Sequence, residues 1–136
     1  MKFDEIHHIG IAVDSIARSL PYYTEFLGMV QETGIVSDPI QKVRVVLLGP
    51  GGNQSQTRIE LIEELETPSP ISNILKQKNR MYHFCVEVES LEQSLEEARA
   101  SRSIVLGDPV PAKLFDGRRI VFIFTPDRYL IELLEK

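Results

Sequence analysis

The stretch His7-His8-Ile9-Gly10-Ile11-Ala12-Val13 decides the fold, because the chain contains a second version of it. Tyr82-His83-Phe84-Cys85-Val86-Glu87-Val88 again brings a histidine into an alternating apolar run. The first leads into Val13-Asp14-Ser15-Ile16 and the second into Val88-Glu89-Ser90-Leu91, each ahead of a helical pattern carrying Ser19-Leu20 or Ser94-Leu95. His8 and His83, Val13 and Val88, and Leu20 and Leu95 all stand 75 positions apart. A constant offset across a strand and the helix after it marks an internal duplication.

Residues 7 to 13 predict a strand in which β-branched residues alternate with a face bearing His8, Gly10 and Ala12. That face is small and polar for a core, so Gly10 and Ala12 are expected to floor a groove. His7 points the other way, toward solvent or a helix. Ser15 suits a helix N-cap, and Ile16, Ala17, Leu20, Tyr23 and Leu27 follow at helical spacing up to Gly28. Pro21 inside that pattern demands a kink or a late start, since it removes a donor and crowds the preceding turn. Tyr22, Tyr23 and Phe26 are expected in the core.

Residues 29–36 predict an irregular strand, Asp38-Pro39 a turn, and 41–48 a strongly β-branched strand. Gly49-Pro50-Gly51-Gly52-Asn53-Gln54-Ser55 reads as a hairpin loop returning into a closing strand over 57–62. Thr67-Pro68-Ser69-Pro70 marks a linker followed by a short helix over 71–77. The pattern then restarts: a strand over 82–88, a helix over 90–101, a strand over 104–106 and a proline-rich bend through Pro109 and Pro111. The turn Asp116-Gly117 and strands over 119–124 and 129–134 complete it. Each half is thus βαβββ. The expected fold class is α+β, a single domain with module one at 6–66, a linker helix at 67–79 and module two at 80–136, together forming a curved mixed sheet.

The closing strands, Arg58-Ile59-Glu60-Leu61-Ile62-Glu63 and Leu130-Ile131-Glu132-Leu133-Leu134-Glu135, each place a glutamate inside an apolar run. Burying such a charge is expensive unless it is paired or binds a metal. If the modules are related by a pseudo-twofold and join edge to edge, His8, Glu60, His83 and Glu132 converge. A single strand histidine is ordinarily a core residue; two at equivalent positions with two equivalent glutamates point to a divalent ion such as Ni²⁺, Co²⁺, Mn²⁺, Zn²⁺ or Fe²⁺. No thiolate joins the set as a structural zinc site would require, and Cys85 reads as a neighbour of the site. Arg44, Arg118 and Arg119 are candidates for a substrate carboxylate or phosphate, although strand arginines also cover apolar surface with their stems. Glu63, Glu64, Glu66 and Glu135 read as solvated strand ends.

Composition excludes several classes of function. The formal charge is −5 with fifteen basic residues scattered along 136 positions, which leaves no footprint for nucleic acid. No apolar run approaches the roughly 18 residues of a membrane span, and the N-terminal residues lack a signal-peptide pattern. A cytoplasmic location is expected, and the one cysteine allows no bridge within the chain.

Taken together, His8-Ile9-Gly10-Ile11-Ala12-Val13, Tyr23-Thr24-Glu25-Phe26-Leu27-Gly28, Ile59-Glu60-Leu61-Ile62, His83-Phe84-Cys85-Val86-Glu87-Val88 and Leu130-Ile131-Glu132-Leu133-Leu134-Glu135 resemble the vicinal oxygen chelate superfamily, the glyoxalase and bleomycin-resistance fold, over residues 6–135. The resemblance implies metal ligation by His8, Glu60, His83 and Glu132. It also implies a small-molecule substrate, a thioester or hemithioacetal, and a homodimer. Two activities are implied, glyoxalase I-like lactoylglutathione lyase and methylmalonyl-CoA epimerase, and both move a proton beside a chelated carbonyl. Glu132 is the implied base and Glu60 its alternative. Ser69-Pro70-Ile71 is similar to the epimerase linker, whereas Thr125-Pro126-Asp127-Arg128-Tyr129 departs from the epimerase pattern of His-Pro-Lys, and Val45 stands near the place of a first-half epimerase glutamate. A non-catalytic antibiotic-binding protein and an extradiol-type dioxygenase are the alternatives.

Overall fold

A computed structural model describes residues 1–3, 5–51 and 56–136 of the chain. The β-branched and apolar runs become strands β1 (His8–Ala12), β2 (Val30–Gln31), β3 (Val36–Asp38), β4 (Val43–Gly49), β5 (Arg58–Glu64), β6 (Met81–Val88), β7 (Ile104–Pro111), β8 (Arg119–Phe124) and β9 (Leu130–Glu135). Among the described residues these nine form one mixed sheet in the order β2-β4-β5-β1-β6-β9-β8-β7, with β3 also paired to β4. The fold class is α+β, as expected. At its centre β1 runs antiparallel to β6, while β5 lies parallel to β1 and β9 parallel to β6.

The two α-helices cover one face of the sheet. Ser15 caps α1 (Ile16–Pro21) and Ser90 caps α2 (Leu91–Ala100), each hydroxyl accepting the backbone N–H three residues on, at 3.2 Å. The α2 stripe Leu91, Leu95 and Ala98 packs on Val86, Val88, Val121, Ile123 and Leu133, while Ile16 of α1 packs on Val13, Val46, Leu48 and Leu61. Each such aliphatic side chain contributes about 1.5–3 kcal/mol when fully buried. The opposite face is left for His8, Glu60, His83 and Glu132. No helix among the described residues is long and apolar enough to cross a membrane.

Several expectations are corrected. Pro21 closes α1, and the chain widens into a π turn at Tyr22–Phe26, with Leu27 N–H bonding Tyr22 O at 3.1 Å. The missing Pro21 N–H resets the hydrogen-bond ladder. That rotation carries Tyr22 and Phe26 out of the expected core; they are 57% and 72% exposed and face each other at 5.1 Å. The irregular strand over 29–36 is two short strands, β2 and β3, both paired with β4. The linker helix contracts to one 3₁₀ turn, Ile74–Lys76, because serine side chains bond the backbone ahead of it: Ser72 Oγ accepts Ser69 N–H at 2.8 Å. Strand β7 runs on through Pro109 and Pro111, which an edge strand tolerates. Its register shifts between Leu106 and Val110, beside Gly107 at φ +87°. The loop proposed for 49–55 falls in part on residues 52–55, which lie outside the described residues.

Candidate metal centre

Strand register builds the site from two equivalent rows. In one, Glu60 of β5 stands opposite Gly10 of β1, which stands opposite His83 of β6. In the other, Glu132 of β9 stands opposite Cys85 of β6, which stands opposite His8 of β1. Each row therefore reads glutamate, small residue, histidine, and Cys85 is the repeat counterpart of Gly10. Because β1 and β6 are antiparallel, the rows run in opposite senses and bring all four functional side chains together.

The small residue has a different purpose from the one expected. A Cβ on Gly10 would overlap the His83 ring, lying 2.7 Å from Nδ1 and 2.9 Å from Nε2. Gly10 makes room for an imidazole, and neither it nor Ala12 lines the groove; Ala12 packs in a cluster with Val43, Val45, Ile62 and Ile71.

The four polar tips meet under near-complete burial, at 0% exposure for His8, 5% for Glu60, 6% for His83 and 3% for Glu132. His8 Nε2 lies 3.1 Å from His83 Nε2, 3.3 Å from Glu132 Oε1 and 3.7 Å from Glu60 Oε1. His83 Nε2 lies 3.6 Å from Glu60 Oε1 and 3.7 Å from Glu132 Oε1. Octahedral or tetrahedral coordination with bonds near 2.1 Å has edges of about 3.0–3.4 Å, so His8, His83 and Glu132 are close to the size that one ion requires, with Glu60 slightly farther out. Glu132 Oε1 has no hydrogen-bond partner among the described residues despite its burial, which is what an oxygen reserved for a cation would show. Two imidazoles and two carboxylates fit a borderline divalent ion.

Electrostatics agree with the geometry. Burial pushes His8 down to about 3 and His83 to about 4, so both rings are neutral at physiological pH with a lone pair to offer. Burial, and then the charge of Glu132, raises Glu60 well above the usual carboxylate range. Burial raises Glu132 as well, against the pull of His83 and Cys85. The Cys85 thiol is pushed up by burial and by the neighbouring Glu132 charge, which keeps it protonated.

Glu60, His83 and Glu132 open into a cavity of about 360 Å³ walled chiefly by Val43, Val45, Ile62, Leu114, Phe115 and Phe122, with Tyr82, Gln41 and Asp108 as further polar groups. Phe115 stacks on His8 at 5.6 Å, and Phe122 and Tyr82 meet His83 edge-on at 5.2 and 4.9 Å. Buried Asp38 positions Phe115 by accepting Lys113 N–H at 3.2 Å while also accepting Gln41 Nε2 at 2.8 Å. Asp38 was legible only as a turn residue, and Phe115 lies in a segment without periodicity.

The predicted arginines sit elsewhere. Arg44 Nη1 donates to Glu63 Oε2 at 2.7 Å, and Arg119 makes a forked bond to Glu135 at 2.7 and 2.6 Å. These two pairs occupy repeat-equivalent positions. Arg118 donates to Glu135 O at 2.8 Å and to Glu87 Oε2 at 2.5 Å. None lines the cavity. Glu63 and Glu135 are therefore partnered strand ends, and Glu63 also accepts Ile16 N–H at 2.8 Å. His7 is likewise not turned away: its Nδ1 lies 2.9 Å from Nδ1 of His8.

Residues 7–122 match the family model of the Glyoxalase/Bleomycin resistance protein/Dioxygenase superfamily, and the chain belongs to that superfamily. It is 32% identical to the uncharacterized protein YqjC of Bacillus subtilis, across 97% of this chain and 92% of that one. It is 26% identical to the mitochondrial methylmalonyl-CoA epimerase of Dictyostelium discoideum, across 97% of this chain and 78% of that one. The methylmalonyl-CoA epimerase structure from Mycobacterium tuberculosis superposes with a TM-score of 0.84 at 24% identity, covering 98% of this chain and 88% of that one, and so shares the fold.

Proposed function

We propose that the protein is a divalent-metal-dependent enzyme that moves a proton on the carbon beside a carbonyl, acting on an acyl thioester as an epimerase does. The observation that carries this reading is that the Nε2 atoms of His8 and His83, 3.1 Å apart, each stand 3.3–3.7 Å from an oxygen of Glu60 and of Glu132, at an apolar cavity that Glu60, His83 and Glu132 line. Similarity to the Dictyostelium methylmalonyl-CoA epimerase supports a thioester ahead of the hemithioacetal of a glyoxalase I-like lyase. These four residues would hold the ion. A bound divalent cation would supply Lewis acidity to a substrate presenting two neighbouring oxygens.

The remaining work belongs to side chains. Glu132 takes the proton from the carbon, and Glu60, its repeat counterpart across the site, delivers or receives one from the other side. Epimerisation needs proton transfer on both faces of one carbon, and a pair of carboxylates supplied by the two halves meets that requirement. Phe115, Phe122, Leu114 and Val45 exclude water, which strengthens charge interactions at the reacting carbon.

Proton-exchange NMR in D₂O tests the proposal, using protein of measured metal content with methylmalonyl-CoA and, separately, the glutathione hemithioacetal. Metal-dependent deuterium uptake at C2 of the thioester is expected. Exchange with the hemithioacetal alone would replace the epimerase reading with the lyase, and silence on both would overturn the reading.

A further inference from the structure

His7 has no part in the donor set, yet its Nδ1 lies 2.9 Å from His8 Nδ1, and the two rings meet at 80°. At that distance one nitrogen donates and the other accepts. His8 turns its other nitrogen, Nε2, toward His83, Glu60 and Glu132. A nitrogen that gives its lone pair to a cation carries no proton, so a neutral His8 in that state holds its proton on Nδ1. The only acceptor placed for it among the described residues is His7 Nδ1, and the His7 proton then resides on Nε2.

We infer that His7 is the positioning residue for His8, fixing its tautomer and ring plane so that the Nε2 lone pair faces the other three donors; this rests on the metal-centre reading above. The two halves differ here. The repeat counterpart of His7 is Tyr82, whose ring touches His83 edge-on at 4.9 Å, while the buried His83 Nδ1 has no hydrogen-bond partner among the described residues. His8 is the supported ligand of the pair. The His7 backbone is held independently, its N–H donating to Cys85 O at 2.8 Å and its carbonyl accepting Arg58 N–H at 3.2 Å. A phenylalanine there keeps the edge-on packing against Phe115, now at 5.5 Å, while removing the acceptor.

The test has two arms. Long-range ¹H–¹⁵N NMR of the Zn²⁺-loaded wild-type protein should find His8 protonated at Nδ1 and His7 at Nε2. Calorimetric titration with Zn²⁺ should find His7→Phe about 10- to 100-fold weaker than wild type, the usual effect of losing such support, with His7→Asn recovering most of the loss because its Oδ1 replaces the acceptor. A His7 protonated at Nδ1 in the loaded protein, or equal affinity of wild type and His7→Phe, would overturn this inference alone. A wild type that binds no Zn²⁺ would overturn the metal-centre reading and this inference with it.

Discussion

The His83 imidazole occupies the space that a β-carbon on Gly10 would fill. The relationship crosses the central antiparallel pair, where Gly10 and His83 stand directly opposite. Gly10→Ala should therefore displace His83 while leaving the strand intact, since alanine is acceptable in a strand. The expected result is at least about a tenfold loss of divalent-metal affinity by calorimetry, with far-UV circular dichroism unchanged. Wild-type affinity in Gly10→Ala would mean that His83 is not held as described.

Glu132 Oε1 is buried without a hydrogen-bond partner among the described residues, so the carboxylate can serve both an ion and a substrate proton. Glu132→Gln keeps the shape and one oxygen but cannot accept a proton at neutral pH. Metal content measured by mass spectrometry should persist at a reduced level, while deuterium exchange into substrate falls by roughly 10²- to 10⁴-fold. Unaltered exchange in this variant would transfer the base to Glu60.

How much of this was legible depended on which residues the duplication touched. His8 with His83 and Glu60 with Glu132 could be matched by position, and the duplication also indicated an edge-to-edge sheet, so the α+β class and the convergence of the four side chains followed. The same offset relates Gly10 to Cys85, but the purpose of a small residue there needed the register that seats His83 over Gly10. Arg44 and Arg119 carry the same offset, yet a charged side chain on a strand looks the same whether it serves a ligand or a cross-strand glutamate. Phe115 and Asp38 were illegible because segments joined by side-chain bonds to backbone carry no periodicity.

The Arg44 and Glu63 pair, and its counterpart Arg119 and Glu135, tie adjacent strands outside the cavity. Arg44→Ala should cost at most about 1 kcal/mol, since the guanidinium is 40% exposed and water screens the pair. The same change at Arg119 should leave kcat/KM within about twofold, because no reacting group contacts it. Steady-state kinetics showing a rise in KM of tenfold or more for either variant would return that arginine to the substrate site.

Ser69 and Ser72 hydroxyls both bond the Glu64 carboxylate, and these bonds, Ser72 first, hold it below the usual carboxylate range. A folded value lower than the unfolded value of about 4.3 means that the folded state binds fewer protons. The stabilisation is complete above that unfolded value and disappears as pH falls through the depressed folded one. Hydrogen exchange across 69–77 should accelerate in this acid window in wild type, and Glu64→Gln should exchange faster at neutral pH with that acid dependence removed. An identical acid response in both proteins would break the link.

Metal removal provides the broadest test, because it requires no substrate. An ion held by His8, Glu60, His83 and Glu132 binds a site assembled from both halves of the chain, so it stabilises the folded state and has little affinity for the unfolded one. At a free concentration about 1,000 times the dissociation constant, that linkage is worth about 4 kcal/mol. For a domain of this length the unfolding entropy converts the gain into a rise in Tm on the order of 10 °C. Calorimetric melts with excess chelator and with saturating Ni²⁺, Co²⁺, Mn²⁺ or Zn²⁺ should differ by that amount in the wild-type protein. His8→Ala should melt at one temperature in both conditions, since it lacks a donor from the middle of the set. An equal rise in the variant would assign the stabilisation to surface carboxylates instead of the centre.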